Sequence, residues 1–165
     1  MKLLVLSDSH SSLRFMRRCM EILKPDQVVH LGDHYDDGET LAEDYKNIPM
    51  HQVPGNCDRY RCPISAREIL CYPVGGVRLY MTHGHRHMVK QGIGLLLKDA
   101  RQEGAQGVLY GHTHVADCHR EPDGLWVLNP GSAGSMGGSA GLMEIQDGKI
   151  AECRILTYKD LEEME

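Results

Sequence analysis

Residues 2–7 (KLLVLS) form a short apolar run that ends at an acid, and residues 27–31 (QVVHL) repeat that form before Gly32-Asp33. Short unbroken apolar runs are what strands buried on both faces of a parallel sheet require. Between them Phe15, Met16, Cys19 and Ile22 or Leu23 recur at helical spacing, Ser11 or Ser12 stands where an N-cap would, and Pro25 follows as a stop. The pattern predicts a helix over 14–23 and a βαβ opening. A weaker helical pattern over 39–45 leads to a third strand over 50–53 that ends at Pro54-Gly55-Asn56. Two further strands, 68–72 and 77–82, are hinged by Gly75-Gly76; a helix over 92–103 carries Ile93, Leu96, Leu97 and Ala100 on one face, with Gly104 at its end. Strand resumes at 107–110. The last third reads as hairpins, 117–121 with 125–129 around Pro122-Asp123-Gly124 and 141–145 with 149–155 around Asp147-Gly148. The acidic tail, 159–165, reads as a solvated helix end. Mixed parallel and hairpin strands predict an α/β fold of two packed sheets flanked by helices.

Length and composition narrow the class. A chain of 165 residues with 41% hydrophobic content is expected to form one domain, 1–165, with a substantial core. The net charge of −5, with signs mixed along the chain, offers no electrostatic footprint for duplex nucleic acid, so a phosphate substrate must be attracted locally. Only four apolar residues follow Met1-Lys2 before Ser7 and Asp8, and no run approaches membrane-spanning length. A cytoplasmic protein without a membrane partner is expected; the oligomeric state is open. The six cysteines, at 19, 57, 62, 71, 118 and 153, have no CxxC pairing and read as reduced thiols. Ten histidines, most of them clustered beside glycines, change the picture toward metal chemistry.

Five separate strand ends deliver oxygen or nitrogen ligands: Asp8-x-His10, Gly32-Asp33, Gly55-Asn56, His83-Gly84-His85 and Gly111-His112-Thr113-His114. Sites of open α/β sheets assemble at the carboxyl ends of strands. Residues two apart in extended chain point to one side, so Asp8 with His10, and His112 with His114, are each expected to present two ligands to one crevice. Carboxylate and imidazole donors without a thiolate pair suit Mn²⁺ first, with Zn²⁺, Fe²⁺, Co²⁺ or Ni²⁺ fitting the same set, whereas Mg²⁺ and Ca²⁺ prefer oxygen shells. Seven candidate ligands exceed what one tetrahedral ion needs; two ions about 3.5–4 Å apart require a bridging carboxylate, for which Asp33 is the candidate. A lone D-x-H or G-D is common in any chain, but two histidines around a threonine after an apolar strand waste burial unless the imidazoles find partners.

Taken together, DSH, GD, GNCD, HGH and GHTH resemble the motif series of the calcineurin-like metallophosphoesterase superfamily, in particular its small YfcE-like phosphodiesterase branch. The resemblance runs from Lys2 to about Ser132 and includes the LNPGS segment, Leu128 to Ser132. It implies an αββα sandwich, with one metal held by Asp8, His10, Asp33 and His114 and a second by Asp33, Asn56, His83 and His112. It further implies hydrolysis of a small phosphate ester, a diester in preference to a monoester. Many members carry histidine after the GN of the third motif; here Cys57 stands there, as in the YfcE-like branch, and a weakly hydrogen-bonding thiol should assist a leaving group less well.

The expected mechanism is in-line attack by a hydroxide bridging two metals while both ions neutralise the phosphoryl oxygens. Asn56 is expected to bind a metal through its carbonyl and the phosphate through its amide protons. Cys57 or His85 is the candidate for protonating the leaving group, Arg86 for a phosphate contact, and Asp58 for orienting an imidazole. His30, His34, His51, His87 and His119 are read as structural or surface residues, and Lys90 stands beside Arg86 as a second candidate phosphate contact, two cations after a strand being more often merely solvated. Two other readings stand beside this one. The retromer subunit of the same fold resembles the motif series yet serves mainly as a protein-interaction scaffold, with its bridging carboxylate position altered; here Asp33 and Asn56 are intact. Residues 131–141 (GSAGSMGGSAG) could be taken for a phosphate-cradling loop, but they lack a GK[ST] ending and a following helix, so a flexible turn bordering the pocket is expected.

Overall fold

The computed structural model describes residues 1–165. Its elements run β1 (Lys2–Leu6), α1 (Leu13–Leu23), β2 (Gln27–His30), α2 (Tyr35–Asp44), β3 (Met50–Gln52), β4 (Ile69–Val74), β5 (Val77–Thr82), the 3₁₀ turns His85–His87 and Val89–Gln91, and α3 (Gly94–Gln102). There follow β6 (Gly107–Leu109), β7 (Asp117–Arg120), β8 (Trp126–Asn129), β9 (Ser139–Gln146), β10 (Lys149–Thr157) and α4 (Tyr158–Glu163). Two five-stranded mixed sheets result, ordered β10-β9-β1-β2-β3 and β4-β5-β6-β8-β7.

The double-sided burial expected of β1 explains the layering. Leu3 and Val5 pack between the sheets with Leu79, Met81, Leu109 and Leu128. Leu4 and Leu6 face the other way, against Phe15, Met16 and Cys19 of α1 and Leu161 of α4. A third cluster joins Leu96, Leu97 and Ala100 of α3 to the outer face of the second sheet through Tyr80, Val108 and Val127. The layers are therefore helix, sheet, sheet, helix. At roughly 1.5–3 kcal/mol per fully buried large aliphatic side chain, this frame is rigid enough to fix loop ends. Strands β1, β2 and β3 are parallel to one another, as are β5, β6 and β8, so each sheet gathers carboxyl ends at one edge.

Three expectations need correction. Strand β4 continues through Pro73, because it is an edge strand whose missing N–H forfeits no ladder bond. Helix α2 begins at Tyr35 rather than at 39, for a reason that lies in the site. The acidic tail is not merely solvated: Leu161 is fully buried, and the Asp160 carboxylate accepts bonds from the Thr157 amide and hydroxyl, each 2.7 Å, closing the first turn of α4. No helix is long and apolar enough to cross a membrane.

Candidate metal centre

All five ligand-bearing segments leave carboxyl ends of β1, β2, β3, β5 and β6 and meet above the sandwich. Asp8, His10, Asp33 and His114 each offer one ligand atom within 4.8 Å of the others, and Asp33, His83 and His112 do the same. Asp33 Oδ2 lies 3.9 Å from His10 Nε2 and 3.5 Å from His83 Nε2, so one carboxylate faces both groups. Asn56 joins the second, its Oδ1 lying 3.1 Å from His83 Nε2.

The polar network leaves these atoms free to coordinate. Asp8 Oδ2 accepts bonds from the Ser7 hydroxyl (2.6 Å) and the His112 amide (3.1 Å). Asp8 Oδ1 is buried and receives no hydrogen bond, although His114 Nε2 lies 3.0 Å away. Asp33 divides its oxygens similarly, Oδ1 accepting the Cys57 amide at 3.0 Å while Oδ2 faces the imidazoles. His83 Nδ1 donates to the Leu31 carbonyl at 2.7 Å, which leaves the Nε2 lone pair directed at the site, 3.1 Å from His112 Nδ1. An orphaned buried carboxylate oxygen and converging imidazole nitrogens are costly without a cation and natural around one. The donor set fits divalent metal ions.

Local electrostatics agree. Burial disfavours the charged Asp33 carboxylate, but His83, the Cys57 amide and thiol, and His10 outweigh it and hold the pKa below the ordinary value. Burial and the neighbouring His83 push His112 and His85 down, which keeps them neutral, and a metal-binding imidazole must be neutral.

How the ligands converge differs from the expectation of side chains alternating along extended chain. Strand β1 ends at Leu6, and Asp8 (φ 54°), His10 (44°), Asp33 (55°), His112 (69°) and His114 (61°) all adopt left-handed backbone. Such residues cost about 1–2 kcal/mol each outside glycine and cluster at functional sites. The motif glycines serve close approach: a Cβ on Gly111 would fall on Ser7 Oγ and Asp8 Oδ2, and one on Gly55 would fall on Asp33 Oδ1.

Asp58 corrects another expectation, for it orients no imidazole. Fully buried, it accepts four backbone N–H bonds: Oδ2 from Asp33 (2.8 Å) and Gly55 (2.7 Å), Oδ1 from His34 (2.8 Å) and Tyr35 (2.9 Å). It thereby pins the Asp33 loop to the Asn56 loop and caps α2, which is why that helix starts early.

The LNPGS segment stood out in the sequence by resemblance alone, without a role for its Asn129 and Ser132, and Gly134 and Asp37 carried no signal of their own. Asn129 donates to the Gly111 carbonyl (3.2 Å) and Thr113 Oγ1 (2.9 Å) and accepts the Gly131 amide (2.9 Å), stapling the GHTH loop. Ser132 Oγ and the Gly134 amide donate to the Asp8 carbonyl at 2.8 and 3.1 Å, so the first part of the 131–141 segment is a buttress and not a free turn. Below the centre, the Gly32 amide donates to His30 Nδ1 (3.3 Å), His30 Nε2 reaches Ser9 Oγ (3.0 Å), and Ser9 donates to Asp37 (2.7 Å). Burial lowers the His30 pKa to about 4.

The remaining predicted residues stand at the rim. Asn56 Nδ2 touches only Cys57 Sγ, at 3.7 Å, so its amide protons are available. Burial and Asp33 push the Cys57 thiol up. His85 packs edge-on to His112, with centroids 6.2 Å apart, and its Nδ1 has no partner. Arg86 is paired with Glu68 at 2.7 Å. His51, His87 and His119 bond to Tyr72, Asp99 and Asp117 away from the centre.

The fold and donor set are those of a metal-dependent phosphoesterase. The model of the calcineurin-like phosphoesterase superfamily domain matches residues 1–148, and the chain belongs to that family. A probable metallophosphoesterase of Mycoplasma pneumoniae is 31% identical over 134 residues, covering 79% of this chain and 78% of that one. A phosphodiesterase of Methanocaldococcus jannaschii is 26% identical over 148 residues, covering 79% and 83%. Vacuolar protein sorting 29 of Cryptosporidium parvum superposes with a TM-score of 0.73 over 95% of this chain and 97% of its own, at 17% identity. That last likeness concerns the fold alone, which hosts more than one kind of function.

Proposed function

We propose that the protein hydrolyses phosphodiesters at a dinuclear centre, as a single 1–165 domain acting in the cytoplasm. The carrying observation is the Asp33 carboxylate shared between two ligand groups. Asp8, His10, Asp33 and His114 would hold one divalent ion, and Asp33, Asn56, His83 and His112 the other. Mn²⁺ is the ion we favour, since the set mixes carboxylate, amide and imidazole donors. When bound, the pair supplies the nucleophile by acidifying water and neutralises charge on the phosphoryl oxygens.

The chain's own groups orient the ester. The free amide protons of Asn56 bind a phosphoryl oxygen, and Arg86, released in part from Glu68, balances its charge. Neutral His85 has one N–H to donate; its lowered pKa suits it to steadying the phosphate more than to delivering a proton. Cys57 keeps its proton, but Asp33 competes for it, so leaving-group assistance is weak and aryl esters should outrun alkyl ones.

The test is anaerobic purification with elemental analysis, followed by a Mn²⁺-supported comparison of bis(p-nitrophenyl) phosphate with p-nitrophenyl phosphate. Near two metals per chain and faster diester cleavage support the proposal. One metal per chain, or turnover of neither ester, removes it and leaves a non-hydrolytic role for the fold.

A further inference from the structure

We propose that the cleft between residues 54–69 and the 3₁₀ turn His85–His87 binds one ester group of the substrate, and that this group is a nucleoside bearing a further phosphate. The inference rests on the phosphodiester reading of the metal centre.

The cleft, of about 1010 Å³, is lined by Asn56, His85 and Arg86 and is therefore continuous with the place where the phosphoryl group would lie. An ester group leaving that position has this opening beside it. Its charge is unlike that of the chain, which is −5 overall. Arg59, Arg67 and Arg86 line it against Glu68 and Asp58, and Asp58 is fully engaged by four backbone amides. Arg86 is paired with Glu68 and Arg61 with Asp36, whereas Arg59 and Arg67 have no carboxylate within 4.0 Å. Two unpaired guanidiniums beside a phosphate site suit a second phosphate, which they can bind in bidentate fashion. Arg59 follows Asn56 by three residues, a span of at most about 11 Å, so one small molecule can engage both.

The same loop exposes apolar groups that nothing in the protein covers. Ile64 is fully exposed, Tyr60 is 89% exposed and Ile69 is 40% exposed. The Arg59 guanidinium lies 5.5 Å from the centre of the Tyr60 ring, which stands outside the cleft lining, so the lining itself presents the guanidinium of Arg59. Nucleobases stack on guanidinium planes as they do on aromatic rings, and Ile64 and Ile69 give the lining an apolar wall that suits a nucleoside. A simple dialkyl or diaryl phosphate carries no second phosphate for the unpaired Arg59 and Arg67.

The experiment compares diester cleavage of the thymidine dinucleotides TpT, pTpT and TpTp, followed by product chromatography, with bis(p-nitrophenyl) phosphate as reference. Calorimetric binding of all three dinucleotides is measured in parallel. Wild-type protein is expected to favour one terminally phosphorylated dinucleotide over TpT by about tenfold or more in kcat/KM and in affinity. Arg59→Ala with Arg67→Ala should bring both ratios near one while reference turnover stays within twofold; the double lysine variant should keep most of the preference. Hydrolysis failing on every ester while arginine-dependent binding persists would sink the phosphodiesterase reading and leave the cleft standing. A wild-type binding ratio near one, or a ratio that survives in the double alanine variant, overturns the cleft proposal.

Discussion

Replacing Asp58 by asparagine removes charge and half of an acceptor set while keeping volume. Each oxygen takes two backbone N–H bonds of 2.7–2.9 Å, so the amide nitrogen of an asparagine would face two donors whichever way it turned. Two bonds to a charged group are lost, at about 1.5–3 kcal/mol each, or roughly 3–6 kcal/mol together. Against a total of about 5–15 kcal/mol for a domain, the variant should fold but be visibly weakened. Urea unfolding of metal-free protein, with a slope of about 2 kcal/mol/M, should show the midpoint falling by about 1.5–3 M at unchanged slope. Metal affinity should fall by about 10–100-fold, because Asp58 positions both Asp33 and Asn56. Asp36→Asn is the control: its half-exposed carboxylate pairs with Arg61 through Oδ2 alone and accepts no other bond, so the change should matter by less than about 1 kcal/mol. A loss below 1 kcal/mol in Asp58→Asn would refute the idea that this one side chain ties the two loops.

Three further outcomes follow from the same geometry. Gly111→Ala should cost about 1–3 kcal/mol by overpacking and weaken metal binding, since its Cβ would strike Ser7 Oγ and Asp8 Oδ2; elemental analysis with two metals retained would refute this. His30 has a folded pKa near 4, below its ordinary 6.5, so the unfolded chain binds the extra proton first. Its stabilisation is complete above pH 6.5 and is lost as pH falls toward 4, by about 3 kcal/mol; the acid-induced loss in urea midpoints should shrink in His30→Gln. Cys57→His should flatten the dependence of kcat/KM on leaving-group pKa across a series of aryl and alkyl diesters, and an unchanged slope would remove Cys57 from leaving-group chemistry.

Much of the frame was legible because its signals are local. The runs at 2–7 and 27–31 are apolar on both faces, and only a central strand between two layers needs that, as Leu3 and Leu4 show by packing into different clusters. Asp147-Gly148 reads as a hairpin turn because both residues must take positive φ, and both do, at 51° and 70°. The ligand motifs stood out for their residue types. Their supports did not, because long-range acceptors look ordinary in sequence: Asp58 caps a helix that starts 23 residues earlier, and Asn129 staples a loop 16–18 residues away. Burial of Leu161 depends on Phe15 and Leu4 being there to receive it, which no spacing within 159–165 encodes.

The left-handed ligands connect stability to function. Five side chains of the proposed centre sit on strained backbone, at about 1–2 kcal/mol apiece, a sum comparable to a whole domain's margin. Such strain persists only where surrounding bonds over-determine it. Here those bonds are identifiable: Asp58 holds the backbone around Asp33, Ser132 and Gly134 hold the Asp8 carbonyl, and Asn129 holds the turn that carries His112 and His114. The pinned conformations bring buried carboxylate oxygens and imidazole nitrogens within 4.8 Å of one another, a donor set that a cation would satisfy. Cations binding only the folded state would offset the strain, so the proposed ligand geometry and folding stability would be coupled through the same loops. The frame can carry this load because its three apolar clusters share no residue with the proposed ligand set.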